Sequence, residues 1–409
     1  MVSLVLLAVL AGGAAVLYLK GTLAQGLMMI LNAILASFIA FGFFELVAGL
    51  LAKYAAAVTA WAQTISFLLL FVLAFAVLQT IAMQLHKQKI DLGLWPERVG
   101  RVICGLILGY IVAGQLLVGA ALAPLPSGYP YARFSERGTN PSQPSKTLLN
   151  PDGFVVGLFA TISKGSFSAI GEPKSFAMLH AGFLNELYLN RLKGPKEVPL
   201  RTKAAAIEVP RQGAVREAPA SLRDTEGNPP PSRSGETLTL VTVAFKSSQI
   251  VEAGKLTLSQ VRLICRPKGA DQARLAGKGQ ALYPVGYIAS DGSLVLKPLS
   301  EQITIEAPRR GGARNVEFAF FVPTHLTPTL LGLKGNNLEQ VSLRPAADDA
   351  APTREGEETS PPSRETDETR QPTGESDSTS STESDRDGRG LSNLGTALTG
   401  GALEEDIMQ

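Results

Sequence analysis

The residues of this chain whose chemistry could be put to work are His86, His180, His325 and one carboxylate inside an apolar run, Glu45. A serine protease of the chymotrypsin type needs a histidine, an aspartate and a serine in a glycine-framed loop that supplies the oxyanion hole. No G-x-S-G stretch follows His180 or His325, and no H-E-x-x-H, P-loop, G-x-G-x-x-G or nucleophile elbow occurs. The reading is therefore non-enzymatic: no catalytic residue, no metal ligand set and no cofactor is expected, and nothing in the chain points to nucleic acid. Glu45, in FGFFELVAGLL, has two readings. A carboxylate near the end of an apolar run can serve a proton or ion relay, or it can snorkel to the interface or bond a neighbouring helix in protonated form. His180 falls in the apolar stripe of FAMLHAGFLNELYLNRL, with no second ligand near it in sequence, so a core or interface histidine is expected there.

The elements that must position these residues begin with four apolar runs: Val2 to Leu19, Leu27 to Leu51, Thr64 to Leu85 and Gly100 to Ala123. Each has the length, about 17–25 residues, that crosses a hydrocarbon core as a helix. The first has no basic region ahead of it, and Lys20 follows it, so it reads as a permanent span and not a cleaved leader. The connection between runs three and four carries Lys87, Lys89, Arg98 and Arg101, whereas that between runs two and three offers Lys53 alone. By the excess of basic residues the former lies in the cytoplasm, which sends both chain termini outward. Arg133 and Arg137, just after the fourth run, weaken that asymmetry. Tyr54, Trp61 and Trp95 stand where aromatic belts are expected.

Polar residues inside the runs, Asn32, Gln79 and Gln115, are candidates for hydrogen bonds between helices. Gly105, Gly109 and Ala113 recur every four residues in run four, with Gly100 ahead of them. They leave one helix face nearly free of side chains, so that a partner helix can approach closely. Lipid tails are as apolar as leucine, and packing between spans depends on such contacts.

Glu97-Arg98, Gly100, Gly105-Leu106 and Gly109, preceded by an apolar-Trp-Pro turn, resemble the motif that leads into the last helix of the colicin V production (CvpA) family of bacterial membrane proteins. Lys20-Gly21 resembles that family's Arg-Gly at the end of its first span. The resemblance covers residues 1–125 and departs from the pattern at three places. Glu97 stands for the usual Asp, the glycine after Gly100 comes one residue late, and Leu108 replaces an arginine. It implies a multi-pass protein of the bacterial cytoplasmic membrane with a link to toxin production or export. Some envelope proteases of similar plan carry a serine protease after such a membrane domain; here the nucleophile loop is missing.

Past residue 125 the composition is that of a soluble protein. Residues 126–192 read as a Pro- and Gly-punctuated linker followed by helices, the first starting at Asn150 or Asp152 and the second a single amphipathic helix over 176–192. Residues 193–235, with KGPKEVPLRTK and NPPPSRSG, read as a basic linker whose prolines argue against compact structure. Over 236–345 the period changes to two. ETLTLVTVAF, KLTLSQVRLIC, ALYPVGYIAS, SLVLKP, EQITIE, NVEFAFFVP and LEQVSL, separated by turn residues, predict an antiparallel β-sandwich of immunoglobulin-like type. Residues 346–409 hold 16 Asp and Glu against 5 Arg, and cannot bury enough apolar surface to fold. The rest of the chain then has 33 Lys and Arg against 20 Asp and Glu, a basic body of +13. Cys104 and Cys265, far apart in character, are not expected to pair.

The expected molecule is a membrane all-α four-helix bundle delivering a β domain to the extracytoplasmic side. Its expected partners are the lipid bilayer, further copies of itself or an envelope protein. An envelope assembly or export-related role leads; a subunit of an oligomeric transporter or channel is the alternative, and an extracytoplasmic hydrolase comes third.

Overall fold

A computed structural model of the protein describes residues 2–85, 93–135, 138–164, 174–203, 205–246, 248, 253–270, 275–306 and 312–343. His86, Lys87, Lys89, Arg137 and the acidic segment 346–409 lie outside the described residues. Four helices are long and apolar enough to cross a membrane: α1 (Val2–Lys20), α2 (Leu23–Tyr54), α3 (Ala62–Leu85) and α4 (Leu94–Leu122). α2 begins earlier than its apolar run because Thr22 and Gln25 form a capping box, each satisfying the other's backbone N–H. At 32 residues it is about 48 Å long.

The α1–α4 contact rests on glycine. A Cβ at Gly105 would stand 2.5 Å from the Ala14 Cα and 2.6 Å from the Gly13 carbonyl oxygen, and one at Gly109 would stand 2.9 Å from the Val9 carbonyl oxygen. Gly13 answers from α1, 2.6 Å from the Gly105 oxygen by the same construction. Ala113 continues the face against Leu6 and Leu10. Gly100 sits lower, where a Cβ would meet the Leu23 side chain at 2.6 Å. Between the other helices the polar residues are paired. Asn32 donates to the Gln79 Oε1 at 3.0 Å, joining α2 to α3, and Gln115 donates to the Ser37 Oγ at 2.6 Å, joining α4 to α2.

A shorter apolar helix, α5 (Pro151–Ser163), packs on α4 and α2, starting after Asn150. Phe159 stacks on Phe41 with ring centroids 5.0 Å apart. The single helix expected over 176–192 is two pieces, α6 (Phe176–Leu179) and α7 (Phe183–Asn190). Gly182, at φ +70°, breaks it. That left-handed residue turns the chain so that the apolar stripe becomes two faces.

The β part is antiparallel. Its strands are β1 (Ile207–Glu208), β2 (Val215–Glu217), β3 (Glu236–Lys246), β4 (Lys255–Thr257), β5 (Val261–Pro267), β6 (Gln280–Leu282), β7 (Gly286–Ile288), β8 (Leu294–Leu296), β9 (Gln302–Thr304), β10 (Ala313–Pro323), β11 (Leu326–Leu333) and β12 (Asn337–Gln340). One sheet runs β1-β3-β10-β7-β8 with β2 also on β3, a second runs β12-β11-β5-β6, and β4 pairs with β9. Val241, Val243 and Phe245 of β3 and Phe318 and Phe320 of β10 meet Val261, Leu263, Cys265, Leu331 and Leu333 of the second sheet in one core. Alternation of period two sends Leu240 and Ala319 to the opposite face, where Leu222 and Leu294 cover them.

The segment 193–235 is more than a linker. It supplies β1 and β2, and Ile207 and Ala214 reach the sheet core. Its prolines fall outside the paired residues, so they do not break the ladder. β11 was missing from the expected strands because Pro328 and Gly332 interrupt its pattern. A register shift between Pro328 and Leu330 absorbs the proline.

The α1–α4 glycines give the first prediction. Gly105→Val should destabilise the bundle by about 1–3 kcal/mol through overpacking, read as a lower melting temperature in detergent. Gly12→Ala, whose Cβ would have nothing within 4 Å, should leave it unchanged. Equal melting of Gly105→Val and wild type would contradict the packing described.

Candidate functional site

The helices α6 and α7 form a wedge between bundle and sheets. Phe183 and Leu184 join the core that holds Phe41 and Phe44 of α2, while Met178 and Ala181 pack on Ile264 and Leu330 of the second sheet. Tyr188 and Leu189 close the wedge against Ala121 of α4 and Phe134 beyond it. His180 and Glu186, between these apolar faces, meet charged residues from both sides.

Glu45 reaches this seam from α2. Its Oε1 lies 3.4 Å from the His180 Nε2. The other ring nitrogen, Nδ1, lies 3.5 Å from the Glu186 Oε2, and that same oxygen lies 2.6 Å from the Arg262 Nη1 of β5. Glu186 and Arg262 are nearly fully buried, with side chains 6% and 5% exposed. Gly332 on the neighbouring β11 makes room for the guanidinium, since a Cβ there would stand 2.8 Å from the Arg262 Nε. Lys334, at the end of β11 and buried, donates to the Lys255 carbonyl oxygen at 2.9 Å. Asn190 of α7 donates to the Leu200 carbonyl oxygen, and Gln260 donates back to the Asn190 carbonyl oxygen.

Electrostatics follow from this geometry. Burial works against a charged His180, but Glu45 and Glu186 flanking the ring outweigh it and lift its pKa to about 9. Arg201, nearby, is pushed down to about 10 by burial, with Glu45 opposing the shift. At neutral pH the imidazole is therefore a cation between two carboxylates. The cavity left among Glu45, His180, Glu186, Arg201 and Lys334 measures ≈ 30 Å³. Ligand pockets are about 300–1,000 Å³, so this one is too small for an organic substrate. Among the described residues no group of three or more His, Cys, Asp or Glu could hold a metal ion.

A second polar knot secures the wedge to the end of α4 and to the start of α5. Arg191 donates to the carbonyl oxygens of Ala123 and Tyr129 and lies over the Tyr188 ring at 4.9 Å. Arg133 donates to the Asn185 Oδ1 at 2.8 Å and to the Tyr131 hydroxyl, which donates to the buried Asp152 carboxylate at 2.5 Å. Burial and Asp152 push the Tyr131 hydroxyl up to about 12. Arg133 is thus engaged inside the protein and is not a free charge of a loop.

The family-motif residues gather at the opposite end of the bundle. The Glu97 Oε1 accepts the Leu23 backbone N–H at 2.9 Å, and Arg101 donates to the same carboxylate from one turn on. Gly21 follows α1 where a Cβ would collide with Leu17 at 2.7 Å, so Lys20-Gly21 makes the tight turn that brings Leu23 to Glu97. The structure brings Glu45 to His180, and Glu97, Gly21 and Gly100 to one corner. It does not bring Glu45 to Asn32, Gln79 or Gln115, which pair within the bundle. Glu186 and Arg262 carry no sequence motif; Arg262 stands in a buried strand, VRLICRP, where an unpaired cation would be costly.

Compared with family models, curated proteins and solved structures, the chain has no match.

His180 sets a pH dependence. A histidine whose folded pKa, about 9, exceeds its unfolded value of about 6.5 contributes stability that is complete below 6.5 and disappears as pH rises through 9. Wild type should therefore lose up to about 1.4 kcal/mol per pH unit from this one proton within that window, and His180→Gln should flatten that part of the profile. Identical pH profiles of melting temperature would contradict the assignment. Glu186→Gln, which strands the buried Arg262, should cost about 3–5 kcal/mol by chemical denaturation in detergent. A loss below about 1 kcal/mol would show the pair to be solvated.

Proposed function

We propose that this chain is an integral membrane protein with a non-enzymatic role, in which the four-helix bundle anchors and holds a β domain seated on one membrane face as a binding platform. The lead role is an envelope assembly or export-related factor. The observation that carries the reading is the seam. Glu45, His180, Glu186 and Arg262 pair with one another, and their cavity admits no substrate, so the cluster acts as a fastening between bundle and β domain.

The resemblance of residues 1–125 to the colicin V production family supports a bacterial cytoplasmic membrane. The contacts at Glu97, Gly21, Gly100, Gly105 and Gly109 give its motif a physical purpose, which is close packing of the first, second and fourth helices. Orientation follows from Arg98 and Arg101 at the Glu97 end, with the β domain extracytoplasmic. The two facing sheets support a sandwich of immunoglobulin-like type, a fold used mostly for binding. Its ligand would be a further copy, an envelope protein or a wall polymer.

A second reading, a subunit of an oligomeric transporter, draws on the Glu45–His180 contact. A carboxylate inside a long apolar helix, 3.4 Å from an imidazole, is suited to proton relay. Four helices are too few to enclose a wide path, so this reading needs an oligomer.

Orientation is tested by labelling intact cells with a membrane-impermeant maleimide. Leu296→Cys, at the exposed end of β8, should react and Ile90→Cys should not, the native thiols of Cys104 and Cys265 being buried. The reverse pattern overturns the extracytoplasmic placement. For the transport reading, Glu45→Gln should abolish ion flux in proteoliposomes; unchanged flux, or none in wild type, removes it.

A further inference from the structure

The segment that leads into α5 does not stay at the end of the bundle where α4 finishes. Tyr110 of α4 donates its hydroxyl to the Leu149 carbonyl oxygen at 2.8 Å, and its ring lies 5.3 Å from that of Phe154. A Cβ at Gly114 would stand 2.6 Å from the Pro151 carbonyl oxygen. Tyr110 precedes Leu122, the last residue of α4, by twelve positions, about 18 Å along the helix axis. Nine positions, about 14 Å, separate it from Arg101, the last charge at the other end. The start of α5 therefore lies near mid-height of the bundle. Its thirteen residues, about 20 Å, climb past Phe41 to Ser163, which accepts the Ala177 N–H beside the wedge.

We propose that residues 147–163 form a re-entrant element that dips into the leaflet on the β-domain side, with acyl chains as its partner. The inference rests on the membrane reading above. Leu148, Leu149 and Phe154 are 47%, 59% and 45% exposed, and Tyr110, which touches this segment, follows the exposed Ile107 and Ile103 by about one and two turns on α4. Irregular backbone is tolerated at that depth only where its polar groups are satisfied by protein. Here the Leu149 oxygen accepts from Tyr110, the Asn150 N–H donates to the Thr147 oxygen at 3.1 Å and the Asn150 oxygen accepts the Phe154 N–H at 3.1 Å, while the side-chain oxygens Thr147 Oγ1 and Asn150 Oδ1 are buried without a partner among the described residues. The residues that start α5, Asn150 and Pro151, then hand the chain directly into a helix, whose backbone satisfies itself. Gly114 is the enabling residue on α4, since any side chain there would push the tip away.

The test uses nitroxide labels on Leu148→Cys and Gly157→Cys in the full chain in proteoliposomes, with Ile107→Cys and Leu296→Cys as references for lipid and water. Collision with oxygen and with a water-soluble nickel chelate is read at each site. Leu148 and Gly157 should match Ile107, with oxygen favoured and nickel excluded. If Ile107 reads as lipid but Leu148 and Gly157 read as Leu296 does, the re-entrant element is wrong and the bundle stands. If Ile107 itself reads as water, the membrane reading fails and takes this inference with it. Gly157 has nothing within 4 Å of a built Cβ, so its label is tolerated should Leu148→Cys misfold.

Discussion

The Glu186 carboxylate is the point on which the arrangement turns. It is buried, it lies on a two-turn helix, and one of its oxygens, Oε2, meets both Arg262 from the sheets and His180 from the turn after α6. A buried carboxylate without partners is among the most costly groups a protein can hold. Its presence here fixes the position of every element that supplies a cation. His180 in turn takes Glu45 from α2, so that a membrane-length helix, a wedge and a β-sheet share one electrostatic network. Apolar contacts of Phe183 and Leu184 on one side and Met178 and Ala181 on the other could slide; the charged pairs set the register.

The two ends of the bundle solve different problems. At the Glu97 end no folded domain is docked among the described residues, and helix termini are satisfied locally. Thr22 and Gln25 cap α2, and Glu97 takes the Leu23 N–H across from α4. At the Glu45 end the wedge and sheets take that role through the seam and through Arg191 on the carbonyl of Ala123, the residue that follows α4. Between the ends, glycine contacts and the pairs Asn32–Gln79 and Gln115–Ser37 join the helices.

Much of this was legible in residue order. Runs of apolar residues mark the long helices, spacing by four marks the Gly105–Gly109 face, and alternation marks β3, β5 and β10. The partner of that face, Gly13, was not, because a lone glycine pair in an alanine-rich helix has no spacing to read. The break at Gly182 was hidden because the stripe across 176–192 keeps a helical period even though it serves two separate surfaces. β1 and β2 were hidden by nearby prolines, and β11 by Pro328, which sits at an irregularity in pairing. The seam itself could be read only in part. Glu45 and His180 stand out as polar residues in apolar patterns, but their meeting depends on a chain reversal over more than a hundred residues, and Glu186 belongs to no motif.

A charged seam that fastens the two parts must hold the β domain in one pose on the bundle. Spin labels at Gly49→Cys on α2 and Leu296→Cys on β8, measured by double electron–electron resonance in lipid, read that directly. A single narrow distance distribution at neutral pH, broadened by Glu186→Gln, is the predicted result. A broad wild-type distribution would mean that the charged seam does not join the two parts.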